Sequence, residues 1–346
     1  MLKVKFAVTA AILLVAVGAF ASNVRVADQV YVPAVGHAVG GNQLFISDVF
    51  ISNLTSDTVS VSVLFASGAT PTPQSFNNVI TLAPNERQEI ADFVGTKLGL
   101  QANIGQAIFN GCKQGGNCDV TTCTPNAAGD CADFRNISVE SRIYSVASSS
   151  PNPATAPTTG QLFSGIPWYN FVSSTSSAVG LDKVFITGLR NNGQYRTNIG
   201  LVNASQFSTT TLVVKLFDGK TNTQIGSPFQ QTLGPLGQVQ PGIGAMFSTF
   251  TGVTATNAYV TVEQANNIPT ADAGANGCPD GCPAFLAYGS ALDNATGDAT
   301  TLEAQFQRSL WDLGPNGPNG HGAIACIYDS NCKAGVTLHI HRAVKH

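Results

Sequence analysis

Charge is scarce in this chain. Asp, Glu, Lys and Arg make up only 11% of its 346 residues, and the formal net charge is −3, where soluble domains usually carry charge on about a quarter of their residues. A near-neutral balance excludes the basic stripe on which nucleic-acid binding depends. It does not imply disorder, because 43% of the residues are hydrophobic and can build a core. After the N-terminal segment no apolar run reaches spanning length, so no transmembrane span is expected beyond it. Long amphipathic helices are missing too, and "ADFVGTKLGLQ" (91–101) offers one helical turn at most. No G-x-S-x-G, H-E-x-x-H or P-loop occurs. A Ser-His-Asp triad would have to draw on His37 or the tail histidines, and the acids Glu86, Glu89 and Asp92 read as surface charge on a turn. The sequence therefore points away from an enzyme, with a secreted hydrolase the remotest of the readings.

What is present begins at the N-terminus. "MLKVK" is followed by the apolar run "FAVTAAILLVAVGAF" and by a small-x-small site, "AFA", before Ser22. This is the layout of a signal peptide over residues 1–21, and it places the mature chain outside the cytoplasm: secreted, on the cell surface or in the periplasm. Eight cysteines fit that compartment: Cys112, Cys118, Cys123, Cys131, Cys278, Cys282, Cys326 and Cys332. Their adjacent spacing suggests the local bridges 112–118, 123–131, 278–282 and 326–332, although spacing alone does not fix connectivity. Zinc ligation is the rival, and the absence of C-x2-C pairs argues against it.

An internal repeat dominates the remainder. "FISDVFISNLT" (45–55) recurs one hundred and fifty positions later as "YRTNIGLVNAS" (195–205), with Asn53 opposite Asn203. "TVSVSVLF" (58–65) then matches "TTTLVVKLF" (209–217), and "ITLAPNERQEI" (80–90) matches "QTLGPLGQVQP" (231–241). The first pair alternates apolar and polar residues, the period-two signature of half-buried strands. Many short strands separated by turn signals read as a β-sandwich. The expected organisation is module 1 over residues 22–160, module 2 over 161–302 and a Gly/Pro/Asn-rich extension with a terminal strand over 303–346. The Pro/Ser/Thr-rich stretch 148–160 reads either as a linker or as a loop inside the last hairpin of module 1.

The strings "VYVPAVGHAVGG", "SDVFISN", "TLAPNE", "FITGLRNNGQYRTNIGLVN", "KLFDGKTNTQIG" and "AYGSALDNATGDAT" resemble tandem immunoglobulin-like β-sandwich modules that recur in secreted bacterial proteins. The resemblance spans roughly residues 28–302. It implies an all-β fold of two sandwiches with disulfide-stapled loops, and it brings no catalytic residues with it.

Several side chains could bind something. "DNATGDAT" (293–300) offers Asp293, Asn294 and Asp298 around Gly297, oxygen donors suited to Ca²⁺, against the plain reading of a hairpin turn. His339 and His341 lie two apart, on one face of a strand, and could hold zinc or copper. Trp168 and Tyr169 could form a sugar platform or plug the core. No cofactor is firmly indicated. The function expected is a non-catalytic structural or interaction protein of the cell exterior, with a carbohydrate-binding module protein as the alternative. The partners are then a second copy, through β-augmentation by strands at 23–33 and 335–344, or a cell-surface polysaccharide or protein.

Overall fold

The computed structural model describes residues 26–40, 42–119, 122–124, 126, 131–147, 159–167, 183–206, 209–250, 258–265 and 285–306. Within these the chain is all-β, two β-sandwich modules in tandem. Module 1 contains β1 (Gln29–Gly40), β2 (Gln43–Asn53), β3 (Val59–Ala66), β4 (Gln74–Leu82), β5 (Arg87–Ile90), the helical turn α1 (Phe93–Thr96), β6 (Asn103–Lys113), β7 (Ile137–Ala147), β8 (Thr159–Ser164) and β9 (Ile166–Pro167). Module 2 repeats them as β10 (Lys183–Leu189), β11 (Tyr195–Asn203), β12 (Thr210–Asp218), β13 (Thr223–Leu233), β14 (Gln238–Val239), α2 (Ile243–Met246), β15 (Ala258–Gln264), β16 (Phe285–Asp293), β17 (Ala299–Glu303) and β18 (Gln305–Phe306).

The topologies superimpose strand for strand. A front sheet runs β4-β3-β6-β1 in module 1 and β13-β12-β15-β10 in module 2. A back sheet runs through β5, β2, β7 and β8, and through β14, β11, β16 and β17. In module 1 the end of β1 also pairs with β2 from His37 to Gly40, which joins front and back into one sheet. Even the two-residue strands correspond, because β9 pairs with β1 and β18 with β10.

The turn that begins at Asn53 explains why the repeat survives as sequence. Asn53 is fully buried. Its side-chain amide donates to the carbonyls of Asp57 and Ala83 at 2.7 and 2.9 Å, and its carbonyl accepts from the Thr55 amide at 2.9 Å. Asn203 donates to Gly234 at 2.8 Å and accepts from Ser205 at 2.9 Å. The backbone repeats as well: Asn53 N–H donates to Glu86 and Asn203 N–H to Gly237, while Asn85 and Leu236 both take positive φ, 59° and 55°. One amide side chain thus closes the corner between strand and returning hairpin, a use that suits Asn above other residues.

Inward residues alternate with outward ones along each strand. Val30, Val49, Ile51, Val63 and Phe109 fill the core of module 1, and their counterparts Val184, Ile199, Leu201, Val214 and Val262 fill that of module 2. Each such buried side chain contributes about 1.5–3 kcal/mol. The bridges Cys112–Cys118 and Cys123–Cys131 close the loop between β6 and β7. Cys278, Cys282, Cys326 and Cys332 lie outside the described residues.

Three expectations change. The division at 160/161 runs through β8, which pairs with β7 from Thr159 to Ser164. Residues 148–158 therefore join two paired strands of one module. Residues 303–306, assigned above to the extension, belong to module 2, since β17 and β18 repeat β8 and β9. Finally, the 23–33 stretch is not a free edge where it is described. Val30 and Tyr31 hydrogen-bond to β6 on one side and β9 on the other, leaving no ladder for a second chain. The 335–344 strand lies outside the described residues.

Replacing Asn53 or Asn203 by Ala strands buried backbone groups. Each substitution is expected to cost about 2–4 kcal/mol, on the scale of one to two orphaned buried hydrogen bonds, read as a lower urea midpoint with unchanged m-value. A midpoint within experimental error of wild type would show that the Asn corner does not hold the hairpin.

Candidate functional site

The outward face of each sheet shows what the fold offers to a partner. On the front face of module 1 the outward side chains are Tyr31 on β1, Leu64 and Ala66 on β3, and Gln106 and Ile108 on β6. All are buried, between 0% and 6% exposed. They are covered by the back face of module 2, where Val202, Ala204, Leu236, Leu286 and Tyr288 complete one apolar cluster with them. Phe163 of β8 meets the Tyr288 ring edge-on at 5.1 Å. Gly200 leaves the space this ring occupies, since a Cβ there would stand 2.1 Å from it.

Polar groups fix the register of this junction. Gln106 donates to the carbonyls of Asn203 and Leu236 at 3.1 and 2.8 Å. The Gly234 and Gln238 amides donate across to Ala69 and Gly68 at 2.9 and 2.8 Å. Ser290 donates to Gln161 at 2.7 Å. Burial pushes the Tyr31 and Tyr288 phenols far above the ordinary tyrosine range, although Gln206 and Gln238 hydrogen-bond to them.

Module 2 presents the same front face uncovered among the described residues. Phe185 on β10, Tyr259 on β15 and Phe217 on β12 stand in a row at the positions of Tyr31, Gln106 and Ala66, each half-buried. Phe217 stacks on Tyr259 with ring centroids 5.1 Å apart, and Tyr259 lies 6.0 Å from Phe185. The Tyr259 hydroxyl donates to Asn222. Beside the row, Lys215 pairs with Glu263. Such rings carry an apolar face that can stack on a flat apolar ligand surface, with polar groups at the margin for orientation.

A second polar cluster sits where β1, β2 and α1 meet. His37 Nδ1 lies 2.8 Å from Asp92, which caps α1 with a left-handed backbone. The Asp92 amide donates to buried Asp48, which also accepts from the Tyr144 hydroxyl at 3.1 Å. Burial, and secondarily the Asp48 carboxylate, raises the Tyr144 phenol well above its usual range. The neighbouring Ser47 is fully buried and accepts from the Gly36 amide. These contacts tie the end of β1 to the turn.

The loop expected to suit calcium is closed by its own backbone. Asp293 accepts from the Ala295 and Thr296 amides at 2.8 and 3.1 Å, which holds its carboxyl below the ordinary aspartate range. Asn294 accepts from Arg196 at 2.6 Å, so a guanidinium already occupies the approach to that oxygen. Asp298 accepts from the Ala299 amide at 3.1 Å, and Gly297 takes φ 73°. This is the turn reading, and among the described residues no three His, Cys, Asp or Glu side chains cluster to hold a metal. Trp168, Tyr169, His339 and His341 lie outside the described residues. The sequence reading passed over Phe185, Phe217 and Tyr259. A signal was available: on β12 the outward positions Val213 and Phe217 are apolar on either side of Lys215, where a solvated face would stay polar throughout.

No protein family and no curated protein matches this chain. Among solved structures it is similar to the N-terminal CBM22-1-CBM22-2 tandem domain from Paenibacillus barcinonensis Xyn10C. The identity is 10% over 81% of this chain and 91% of that one, with a TM-score of 0.21. The fold and the faces described above rest on the strand pairing of the chain itself.

The depressed carboxyls give an acid signature. Asp57, through Arg135, and Asp218 and Asp293, through backbone amides, all titrate below the ordinary 3.8. Their contribution is present above pH 3.8 and is lost as pH falls through their lower folded values, because the unfolded chain binds those protons first. Urea midpoints should therefore drop below pH 3.8, and Asp293→Asn should shrink the drop. A midpoint flat to pH 2 would contradict these assignments.

Proposed function

We propose that this is an exported, non-catalytic interaction protein whose docking surface is the front face of module 2. One observation carries the reading. The fold already uses this face for docking in module 1, where it is buried against module 2, and in module 2 the same face carries three half-buried aromatic rings without a cover among the described residues. Large aromatic side chains in a contiguous row favour a partner, because they give much contact area at a low cost in side-chain entropy.

Export is supported by the N-terminal layout of the sequence and by the two disulfides, bonds that persist in oxidising compartments. Among the described residues no helix is long and apolar enough to cross a membrane.

A second reading draws on the same row. Gln224 and Gln230 of the adjacent β13 face the same side, so amides flank the rings as they would flank a sugar chain. Cell-surface polysaccharide is then the ligand, and Trp168 and Tyr169 extend the candidate set.

The double variant Phe217→Ala/Tyr259→Ala tests both. Wild type is expected either to be retarded in gels cast with soluble polysaccharides or to self-associate by sedimentation, and the variant to lose that behaviour at least tenfold while keeping its urea midpoint. A wild type that does neither, or a variant that behaves like wild type, would overturn the reading.

A further inference from the structure

In module 1 the front face is covered by the part of the chain that comes next. β9 runs along β1 with Ile166 opposite Tyr31 and Pro167 opposite Val30. Tyr31 belongs to the front face, so the chain leaves module 1 at the edge of that face. Module 2 follows in sequence, and its Val202, Leu286 and Tyr288 close over Tyr31, Leu64 and Ile108 in one cluster.

Module 2 repeats the exit. β18 runs along β10 with Gln305 opposite Phe185 and Phe306 opposite Val184. Phe185 is the first ring of the aromatic row and stands where Tyr31 stands in module 1. Forty residues, 307–346, follow Phe306 and lie outside the described residues. They start beside the row, at the point that leads, in module 1, to the covering layer.

The row suits aliphatic side chains. Phe217 and Tyr259 lie 12° from parallel with centroids 5.1 Å apart, so each gives one ring face to the other. A ring face engaged in this way is withdrawn from a flat ligand, whereas aromatic side chains still pair well with branched aliphatic ones. Lys215 and Glu263 beside the row satisfy each other's charge. One stretch of the following chain has the matching chemistry. In "GVTLHIHRAV" (335–344), Val336, Leu338, Ile340 and Val344 alternate with the polar Thr337, His339 and His341, which puts the aliphatic groups on one side of an extended chain.

Distance favours the same chain over a second copy. Twenty-eight residues, 307–334, separate this stretch from Phe306. The row crosses three neighbouring strands, ~10 Å of sheet, far less than such a tether reaches. A segment tied to its own target meets it at an effective concentration in the millimolar range.

We infer that residues 335–344 lie over Phe185, Tyr259 and Phe217 of the same chain, with Val336, Leu338 and Ile340 against the rings, a placement that rests on the reading of this face as a docking surface. The segment is the resident occupant of the face, and a partner gains the face by displacing it.

Hydroxyl-radical footprinting of the full oxidised chain, read ring by ring by mass spectrometry, tests this. Half-buried Tyr195, on the back sheet of module 2, is the internal standard. In wild type, Phe185, Phe217 and Tyr259 are expected to oxidise at least threefold more slowly than Tyr195, at a rate independent of protein concentration. Leu338→Asp/Ile340→Asp is expected to bring them to the Tyr195 rate and to strengthen polysaccharide retardation or self-association at least tenfold. Thr337→Asp/His339→Asp, on the other side of the stretch, is expected to leave the rings slow. Rings that oxidise like Tyr195 in wild type overturn the placement, and this measurement needs no variant to fold. Ring rates unchanged by Leu338→Asp/Ile340→Asp overturn it too, and so does protection that grows with concentration, which assigns the cover to a second copy. The docking reading fails separately, when Phe217→Ala/Tyr259→Ala behaves like wild type toward polysaccharide and in sedimentation.

Discussion

Tyr31, Leu64, Ala66 and Ile108 point outward from their own sandwich and yet are almost wholly removed from water, because Val202, Leu286 and Tyr288 of the other sandwich lie over them. A β-sandwich satisfies its inward faces by itself. Its outward faces are normally solvated, and the chain departs from this at one face of each module. The result is a third apolar layer between the two cores. Each Å² of apolar surface buried in this layer contributes about 25 cal/mol, which couples the two sandwiches. The orientation is set by directional bonds: Gln106 donates to two carbonyls across the junction, and two backbone amides of the β13–β14 turn reach back to residues 68 and 69.

That junction gives meaning to the duplication. Inward positions stayed apolar in both copies, with Val30 and Val184 or Ile51 and Leu201 serving alike. The Asn corner stayed, with the side-chain bonds of Asn53 to Ala83 and Thr55 matched by those of Asn203 to Gly234 and Ser205, because few side chains can serve a buried strand end in this way. Outward positions diverged, because one front face had to become a buried contact and the other did not. Divergence is therefore concentrated on the outward faces. The polar cluster of His37, Asp92, Asp48 and Tyr144 belongs instead to module 1 alone: Asn198 stands in module 2 where Asp48 stands in module 1.

Much of the fold is legible in the sequence. Asn53 and Asn203, the two Pro turns and the period-two strands mark the repeat, and the spacing of Cys112, Cys118, Cys123 and Cys131 marks two bridges that the fold contains. The misread parts have physical reasons. β9 and β18 are two residues long, too short for any periodicity. β1 reads as a near-continuous apolar run, "QVYVPAVGHAVG", which alternation cannot place as edge or centre, whereas burial on both faces explains it. The buried front face of module 1 was visible only as a break in alternation: "VSVSVLFA" keeps Ser60 and Ser62 outward and then turns apolar at Leu64. A break of that kind does not say whether a core, a neighbour or a ligand covers the residue. The loop of Asp293 and Asp298 had the donors for calcium in its sequence, but only the structure shows them engaged by their own backbone and by Arg196.

The central claim is that the two sandwiches are held as one unit by the front-to-back junction. Native-state hydrogen exchange at the Gly234 and Gln238 amides tests it most directly, since both donate across the junction and to nothing within their own sheet core. The account predicts exchange as slow as that of the Val214 and Val260 amides in the core of module 2, governed by global unfolding. Exchange at these two amides at the rate of a solvated turn, with the core amides still protected, would mean that the modules part without unfolding and that the junction does not hold them.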